Sequence, residues 1–211
     1  MPTSASFRSS PFGRQASGIT DISESPLIEM KNKVLNTSWF DTVLGPMIAV
    51  SDDQRLYLLE FADKPGLDLE LESFKLQTES GTGQSHAVPI ESIKIELKSY
   101  FEGRLTVFKT PLCLRGSPFR TLVWEELLRI PYGQTRTYAQ QSEAIGKPKA
   151  YRAAANANAA NQLAIIVPCH RVINSNGGLG GYAGGIMRKR WLIDHEKKYR
   201  SPPKLPRLRE R

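Results

Sequence analysis

The sequence is poor in cysteine and histidine, which narrows the chemistry it can support. Its 211 residues include two cysteines, Cys113 and Cys169, and three histidines. Two thiols cannot build a disulfide framework, and so low a number fits a reducing compartment. Because the histidines show no metal-ligand spacing either, the sequence predicts neither a metal site nor a cofactor.

Long apolar runs are missing as well. No stretch approaches the roughly 20 apolar residues that a membrane-spanning helix needs. The N-terminal segment MPTSASFRSSPFGRQASGIT lacks the apolar core of a secretory signal. It is polar and rich in serine, so residues 1–27 are predicted to be a disordered leader. We therefore expect no association with a membrane.

Acidic residues are scarce in the C-terminal half. Residues 117–211 hold 17 lysines and arginines against 6 acidic residues, a net charge of +11. Residues 1–116 hold 12 against 15, a net charge of −3. Such polarity is typical of a half that meets a polyanion. A merely basic surface with a basic tail gives the same count, so charge alone leaves both interpretations open.

Residues 28–116 are predicted to form an α+β domain. Short apolar runs between turn signals predict strands, and apolar residues three to four apart predict helices. The predicted elements are three antiparallel strands within 34–61, helices at 65–76 and 89–102, a loop at 78–86 and a strand at Leu105–Phe108.

Residues 117–198 are predicted to form a helical domain, followed by a basic tail at 199–211. Ser117-Pro118 is a strong helix start, because serine caps a helix and proline suits its first position. Two short helices with a glycine-containing turn between them are typical of a helix-turn-helix. The predicted elements are a helix from 118, helices at 137–145 and 149–160, a glycine-rich loop at 176–185 and a helix at 188–197.

The segment IIVPCHRV (165–172) carries the most reactive residue types. Its proline forces a turn that can hold Cys169 rigidly, and a neighbouring imidazole such as His170 is the usual means of raising the thiolate fraction. Glu196, on the last predicted helix, can orient that imidazole. A lone Cys-His pair is nevertheless more often incidental, since free cysteine commonly packs as a small buried hydrophobe.

For other conspicuous residues we favour structural interpretations. Cys113 is expected in core or linker packing, and His195 on a helix surface. The glycine-rich loop lacks the Lys-Ser/Thr ending of a phosphate cradle, so tight turns explain its glycines better. Each tryptophan falls within an apolar pattern and is expected to anchor the core; these are Trp39, Trp124 and Trp191.

Several motifs in series resemble those of the O6-alkylguanine-DNA alkyltransferases, also called methylated-DNA–protein-cysteine methyltransferases. They are SPFRTLVWEELLRIPYGQTRTYAQ, GKPKAYRAAANANAAN, PCHRV, GGLGGYAGG and RKRWLIDHE. Together they cover residues 117–197, and the N-terminal part is compatible with the ribonuclease-H-like domain of such proteins. The resemblance implies a monomeric DNA repair protein of the cytoplasm, nucleoid-associated in a prokaryote and nuclear in a eukaryote.

The resemblance also implies the reaction. The protein would flip O6-alkylguanine out of duplex DNA and transfer the alkyl group to Cys169 irreversibly, in a single turnover; O4-alkylthymine is a further candidate substrate. His170 would draw off the thiol proton through a water, Glu196 would polarise His170, and Asn161 would orient the turn that carries the cysteine.

DNA binding and the substrate pocket follow from the same resemblance. The contact is expected in the minor groove and independent of sequence, with Tyr138 pressing on a phosphate and Arg152 filling the gap left by the base. Ala150 and Ala153 would belong to the thin face of the predicted helix at 149–160, which also carries Arg152. The alternative is that this alanine-rich helix packs against its neighbour. Arg152 can likewise be a phosphate contact or a surface charge. The residues expected around the substrate are Tyr182, Ala183, Lys189, Val167 and Pro168.

Two departures from the family leave the alkyl-size preference open: Ala164 replaces a proline of some relatives, and Ala183 a serine. Two other classes of function compete. A DNA-binding regulator would use the cysteine only to sense alkylation, and a Cys-His hydrolase would cleave acyl or amide bonds. The hydrolase gives no reason for the basic helix-turn-helix, and fused regulators usually carry a metal-binding domain for which this chain lacks the cysteines.

Overall fold

A computed structural model describes residues 34–75 and 87–200 of the chain. Three antiparallel strands are followed by helices, which confirms the predicted α+β class. The first elements are β1 (Asn36–Thr42), β2 (Gly45–Ser51), β3 (Leu56–Phe61), α1 (Leu67–Lys75) and α2 (Val88–Phe101). The predicted leader, the loop at 78–86 and the tail beyond Arg200 lie outside the described residues.

The sheet has the order β1-β2-β3 and is packed on both faces. Successive side chains of a strand point to opposite sides, so β2 and β3 contribute to two apolar clusters. Met47 and Phe61 belong to the larger cluster, whereas Ile48 and Leu58 belong to the smaller one with α1. All six side chains of β3 are buried, so this strand is covered on both faces.

The helical part begins where the sequence predicts. The hydroxyl of Ser117 accepts a hydrogen bond from the backbone N–H of Arg120 at 3.4 Å, and Pro118 is the first helical residue. The elements that follow are α3 (Pro118–Leu128), β4 (Arg136–Thr137), α4 (Tyr138–Ala144), α5 (Tyr151–Ala159), a 3-10 turn (Cys169–Arg171), β5 (Val172–Ile173) and α6 (Ile186–Tyr199). Among the described residues no helix is long and apolar enough to cross a bilayer.

One apolar cluster joins the two parts. It contains buried side chains from the sheet and α2 together with others from α3, α5 and α6. The chain that leads to Cys169 lies against β3: the N–H of Leu59 donates to the carbonyl of Gln162 at 2.9 Å, and the N–H of Ala164 donates to that of Leu59 at 2.8 Å. The segment with the cysteine is thus fixed between the sheet and the helices.

The strand predicted at Leu105–Phe108 is wrong. Residues 105–108 form no strand: the N–H of Leu105 donates to the carbonyl of Ser99 at 3.2 Å, and the residues that follow Phe108 bond to a side chain instead of a sheet. The carboxylate of Glu96 accepts the N–H groups of Lys109 at 2.8 Å and Thr110 at 3.2 Å. Only at Leu112 does this segment make a bridge, to the start of β3.

The prediction for the tryptophans is confirmed once and wrong twice. Trp124 is buried, and its indole N–H donates to the carbonyl of Ala157 at 2.8 Å. Trp39 is 54% exposed on β1, an edge strand of the sheet. Trp191 is 37% exposed at the surface of α6.

Candidate active site

Cys169 begins the 3-10 turn and is only 7% exposed. Four residues earlier, Ile165 has a φ of 71°, an uncommon conformation for a β-branched residue that bends the chain sharply. The side-chain amide of Asn161 spans this bend. Its Nδ2 donates to the carbonyl of Val167 at 2.9 Å and lies 3.3 Å from the Cys169 sulfur, while its Oδ1 accepts the N–H of Leu163 at 3.0 Å. Asn161 therefore ties the sulfur to the bend.

The resting form of Cys169 is the neutral thiol. Burial raises the pKa of the thiol to about 11, against the opposing hydrogen bond from Asn161. The expectation that neighbours raise the thiolate fraction is therefore wrong for the resting protein, since desolvation of the sulfur outweighs them. A reaction at this sulfur needs a group that removes the proton as the sulfur bonds.

The imidazole of His170 and the carboxylate of Glu196 lie against each other. His170 Nε2 is 2.9 Å from Glu196 Oε1, and both side chains are fully buried. Arg171 donates two hydrogen bonds to the same carboxylate, from Nε to Oε2 at 2.8 Å and from Nη2 to Oε1 at 2.9 Å. Its third nitrogen donates to the carbonyl of Ile130 at 2.6 Å. The 3-10 turn and α6 are thereby joined at one carboxylate.

Two further groups from distant parts of the chain donate to Glu196. The hydroxyl of Tyr100 donates to Oε1 at 2.9 Å, and the N–H of Gly133 donates to Oε2 at 2.9 Å. Sequence reasoning missed both, and it missed Arg171, although the position of Arg171 next to His170 was an available signal. No local pattern marks Tyr100 or Gly133, because their contacts depend on how α2 and the loop after α3 pack on α6.

The protonation state of this group follows from its contacts. Burial alone would raise the pKa of Glu196, but the bonds and charges of His170 and Arg171 outweigh it and hold that pKa far below its usual range. Burial lowers the pKa of His170 despite Glu196, so the imidazole is neutral. An ionised carboxylate only accepts, so Nε2 carries the proton and Nδ1 keeps a lone pair. Within the described residues, this buried Nδ1 has no hydrogen-bond partner.

The glycine-rich loop is anchored beside the cysteine by Lys189. Its buried Nζ donates to the carbonyls of Val172 at 2.6 Å and Gly181 at 3.0 Å, and burial lowers its pKa to about 8. The ring of Tyr182 meets the His170 ring edge-on at 6.5 Å, and its hydroxyl is buried without a partner among the described residues. Lys189 and Tyr182 thus both lie near the thiol, and Ala183, which follows Tyr182, is half-buried.

The remaining residues predicted around the substrate belong to the segment before the thiol. Val167 and Pro168 are both buried in the bend that Asn161 spans. Ala164, the departure from the family pattern in this segment, is buried as well, and its N–H donates to β3. These three side chains support the thiol from the chain that precedes it.

Helices α4 and α5 present an open face next to this site. They are locked together by two reciprocal amide bonds between Gln141 and Asn158, at 3.1 and 2.9 Å. Arg152 and Ala153 are exposed, and Ala150 precedes the first turn of α5. The buried side of α5 carries Ala154 and Ala157, so part of the alanine run packs against its neighbours and part faces outward.

Tyr138 is brought to the cysteine by a short parallel pairing. β4 ends at Thr137, whose side chain caps α4, and it pairs with β5 directly after the 3-10 turn. Tyr138 is half-buried, its hydroxyl lies near Gly180, and Lys189 Nζ is 5.9 Å from the centre of its ring. The start of α4, the glycine-rich loop and the thiol therefore meet at one place.

The predictions for His195 and Cys113 have opposite outcomes. His195 is not on the surface: it is 7% exposed, its Nε2 lies 2.8 Å from the carbonyl of Tyr100, and its ring stacks on Trp191 at 4.6 Å. The aromatic packing of α2 on α6 covers it. Cys113 packs beside the smaller apolar cluster, as predicted. In residues 34–75 and 87–200 no three His, Cys, Asp or Glu side chains gather as a metal site would require.

A buried thiol, followed in sequence by a neutral imidazole that a carboxylate holds, is typical of proteins that react through a cysteine nucleophile. Comparison with known proteins narrows this class. Residues 118–198 match the family model for the DNA-binding domain of 6-O-methylguanine DNA methyltransferase. A methylated-DNA–protein-cysteine methyltransferase of Shigella flexneri is 40% identical over 157 residues, which are 74% of this chain and 91% of that protein. The chain belongs to the methylated-DNA–protein-cysteine methyltransferase family.

Solved structures agree with this assignment. The crystal structure of Mycobacterium tuberculosis OGT in complex with DNA is similar with a TM-score of 0.67 and 37% identity, over 78% of this chain and 94% of that one. The O6-methylguanine-DNA methyltransferase of Pyrococcus kodakaraensis strain KOD1 is similar with a TM-score of 0.55 and 26% identity, over 77% and 99% of the two chains. The likeness thus extends over both the sheet and the helices.

Proposed function

We propose that this protein repairs DNA by moving the alkyl group of O6-alkylguanine onto the sulfur of Cys169. The observation that carries the proposal is the neutral thiol beside a neutral His170 that the ionised Glu196 orients, in a chain of this family. The imidazole lone pair on Nδ1 is the base that the protonated thiol requires. A water between the sulfur and Nδ1 is the route we propose for the proton.

In the proposed step a carbon–sulfur bond replaces the carbon–oxygen bond, and the thiol proton is passed on. The sulfur attacks the alkyl carbon as the thiol proton leaves toward His170, and the carbon–oxygen bond breaks with its electrons passing to the guanine. A proton then passes to the guanine, which is left as an ordinary, unalkylated guanine. Cys169 becomes a thioether. Water does not cleave a thioether readily, so each molecule reacts once. We propose the Tyr182 hydroxyl, buried and unpartnered among the described residues, as a donor to the guanine.

A buried thiol cannot reach a base inside the duplex, so the nucleotide must leave the stack. We propose that the exposed face of α5 enters a widened minor groove, where Ala153 and the region of Ala150 allow close approach and Arg152 fills the gap. The minor groove is only about 6 Å wide, against about 10–12 Å for an ordinary helix with its side chains. Tyr138, at the start of α4, is placed to press on the adjacent phosphate.

DNA contact is expected to depend on charge and not on sequence. Lys147, Lys149 and Arg152 are all exposed at or near the turn between α4 and α5. Each phosphate that such side chains neutralise adds roughly −0.9 to the slope of log affinity against log salt on duplex DNA. Binding as a monomer in this way suits repair of lesions at any sequence.

Mass spectrometry of the protein after incubation with O6-benzylguanine tests the chemistry. We expect one benzyl group per molecule, located on Cys169, and no further consumption of the base. Cys169→Ser should abolish the modification with duplex binding nearly intact, whereas the matched variant Cys113→Ser should react like the wild type. Continued turnover would identify a hydrolase. Residual transfer by Cys169→Ser within about tenfold of the wild-type rate would show that Cys169 is not the nucleophile. Repeating the assay with an oligonucleotide carrying O4-alkylthymine tests the second substrate.

The role of Arg152 is tested by comparing two substrates. A free base needs no extrusion, so Arg152→Ala should slow repair of saturating duplex far more than reaction with O6-benzylguanine. Lys149→Ala is the control for an ordinary phosphate contact, whose defect disappears at saturating DNA. A defect of Arg152→Ala that also disappears at saturation would reduce Arg152 to such a contact, and equal losses on both substrates would indicate a damaged fold.

A further inference from the structure

Tyr100 connects the N-terminal part of the molecule to the catalytic carboxylate. It lies near the end of α2 and is fully buried. Its hydroxyl donates to Glu196 Oε1 at 2.9 Å, and its backbone carbonyl lies 2.8 Å from His195 Nε2. Since His195 and Glu196 are neighbours in sequence on α6, one residue of α2 fixes two successive side chains of the helix that carries the carboxylate.

The hydroxyl of Tyr100 shares its acceptor with the imidazole. Glu196 Oε1 also lies 2.9 Å from His170 Nε2 and accepts Arg171 Nη2 at 2.9 Å. A carboxylate oxygen has two lone pairs, so three donors compete for its electron density. Tyr100 therefore bears directly on the strength and direction of the bond that orients His170.

The ring of Tyr100 is held by other rings, so its hydroxyl is preorganised. The centres of four surrounding rings lie between 5.3 and 5.9 Å away, and these belong to Phe101, Phe108, Tyr132 and His195. Burial raises the pKa of Tyr100 well above its ordinary value, and the charge of Glu196 raises it further. The hydroxyl consequently stays protonated, and stays a donor, at every pH at which the protein works.

We propose that Tyr100 is a positioning residue of the alkyl transfer, which fixes the Glu196 carboxylate and through it the His170 imidazole. This inference rests on the proposed function and extends it to the N-terminal part of the chain. The other titratable or charged groups around this unit are Arg171 beside His170, Tyr132 after α3, Tyr182 in the glycine-rich loop, and Lys189 and Tyr199 on α6.

Tyr100→Phe removes the hydroxyl and keeps the ring. Without this donor the carboxylate becomes more basic and stabilises the imidazolium, so the pKa of His170 rises. Because the neutral imidazole is the base, we expect the acid limb of the rate profile with O6-benzylguanine to move up by about half a pH unit. We expect the plateau rate to fall about tenfold, as for other groups that orient a catalytic imidazole.

Tyr132→Phe is the matched control. Tyr132 belongs to the same aromatic group, but its buried hydroxyl has no hydrogen-bond partner in the part of the chain that the structure describes. We expect its rate profile to coincide with that of the wild type. In a Glu196→Gln background, Tyr100→Phe should have no further effect on the profile, because the carboxylate through which it acts is gone.

A titration of His170 by nitrogen-15 NMR in the same variants separates this inference from the proposed function. The titration needs no alkyl transfer. A wild type that forms no thioether would refute the proposed function, while the titration would still test whether Tyr100 affects the pKa of His170. An unshifted His170 pKa in Tyr100→Phe would overturn the inference. Equal losses of the plateau rate in Tyr100→Phe and Tyr132→Phe, without a shift of that pKa, would overturn it as well. Should Tyr100→Phe not fold, wild type with carbon-13-labelled tyrosine serves instead: its Tyr100 hydroxyl proton must be protected from exchange, and rapid exchange would overturn the inference.

Discussion

Two buried carboxylates, one in each part of the molecule, respond to burial in opposite ways. Glu60 on β3 and Glu196 on α6 are each 1% exposed. Glu60 Oε1 accepts from Lys64 Nζ at 2.7 Å, and Oε2 is without a partner among the described residues. Burial raises the pKa of Glu60 to about 7 in spite of Lys64. Glu196, with donors on both oxygens, has a pKa far below the usual range.

The difference lies in how many donors each carboxylate has. Glu196 is met by His170, by two nitrogens of Arg171, by Tyr100 and by the N–H of Gly133. Around Glu60 a single donor has two acceptors, because Lys64 bonds to both Glu60 and Glu70. These two carboxylates raise the pKa of Lys64, although burial opposes them. A buried carboxylate therefore stays ionised only where several donors replace its water, and this molecule places that arrangement at the reactive thiol.

The largest effect that separates the two clusters is expected from Glu196→Gln. The neutral amide leaves the Arg171 guanidinium buried without an anion, which costs about 3–5 kcal/mol of unfolding free energy. Transfer to Cys169 should slow by at least about tenfold, because His170 loses its orienting charge. Single-turnover rates and urea unfolding measure the two effects, with the exposed Glu143→Gln as control. An unchanged rate at neutral pH would remove Glu196 from the mechanism.

The pH dependence of stability provides the next effect. The stabilisation from Glu196, whose pKa is lowered, is present above the unfolded value of about 4.3 and is lost as the pH falls through the folded pKa. Glu60, whose pKa is raised, stabilises fully below its unfolded value and loses that contribution as the pH rises toward about 7. We expect a decline of roughly 1–3 kcal/mol over that window, absent in Glu60→Gln. Urea unfolding at a series of pH values measures it, and equal slopes in both proteins would contradict the comparison.

The smallest effect is expected from Glu70→Gln, which changes the outer partner of Lys64. The Glu70 side chain is 25% exposed, so the variant should lose less than about 1 kcal/mol. Its charge raises the pKa of Glu60, so its removal should move the Glu60 transition to lower pH. The same unfolding series reports the midpoint, and an unmoved midpoint would show that the charge of Glu70 does not act on Glu60.

Local signals predicted much of the fold. The turn residues within 34–61 predicted the three strands, and Ser117-Pro118 predicted the start of α3, since caps and turns are properties of neighbouring residues. The strand at Leu105–Phe108 was wrong: the N–H of Leu105 donates to Ser99, and the side chain of Glu96 accepts the N–H groups of the two residues after Phe108. Such competition cannot be read from an apolar run.

The site was predictable where the family motifs reach. They marked Cys169, His170, Glu196 and Asn161, which the structure brings together, while the roles of these residues stay predictions. The contribution of Tyr100 was not predictable, because 96 positions separate it from Glu196. The burial of His195 depends in the same way on α2, so helix position alone assigned it to the wrong environment.

The buried, protonated state of Cys169 affects its reactivity toward soluble reagents. Peroxides and soluble electrophiles react with thiolates, and burial raises the pKa of this thiol to about 11, so the thiol is protonated at neutral pH. Burial adds a steric barrier to the same reagents. Under the proposed function, the sulfur is protected from these reagents until an alkylated base lies against it and His170 takes its proton.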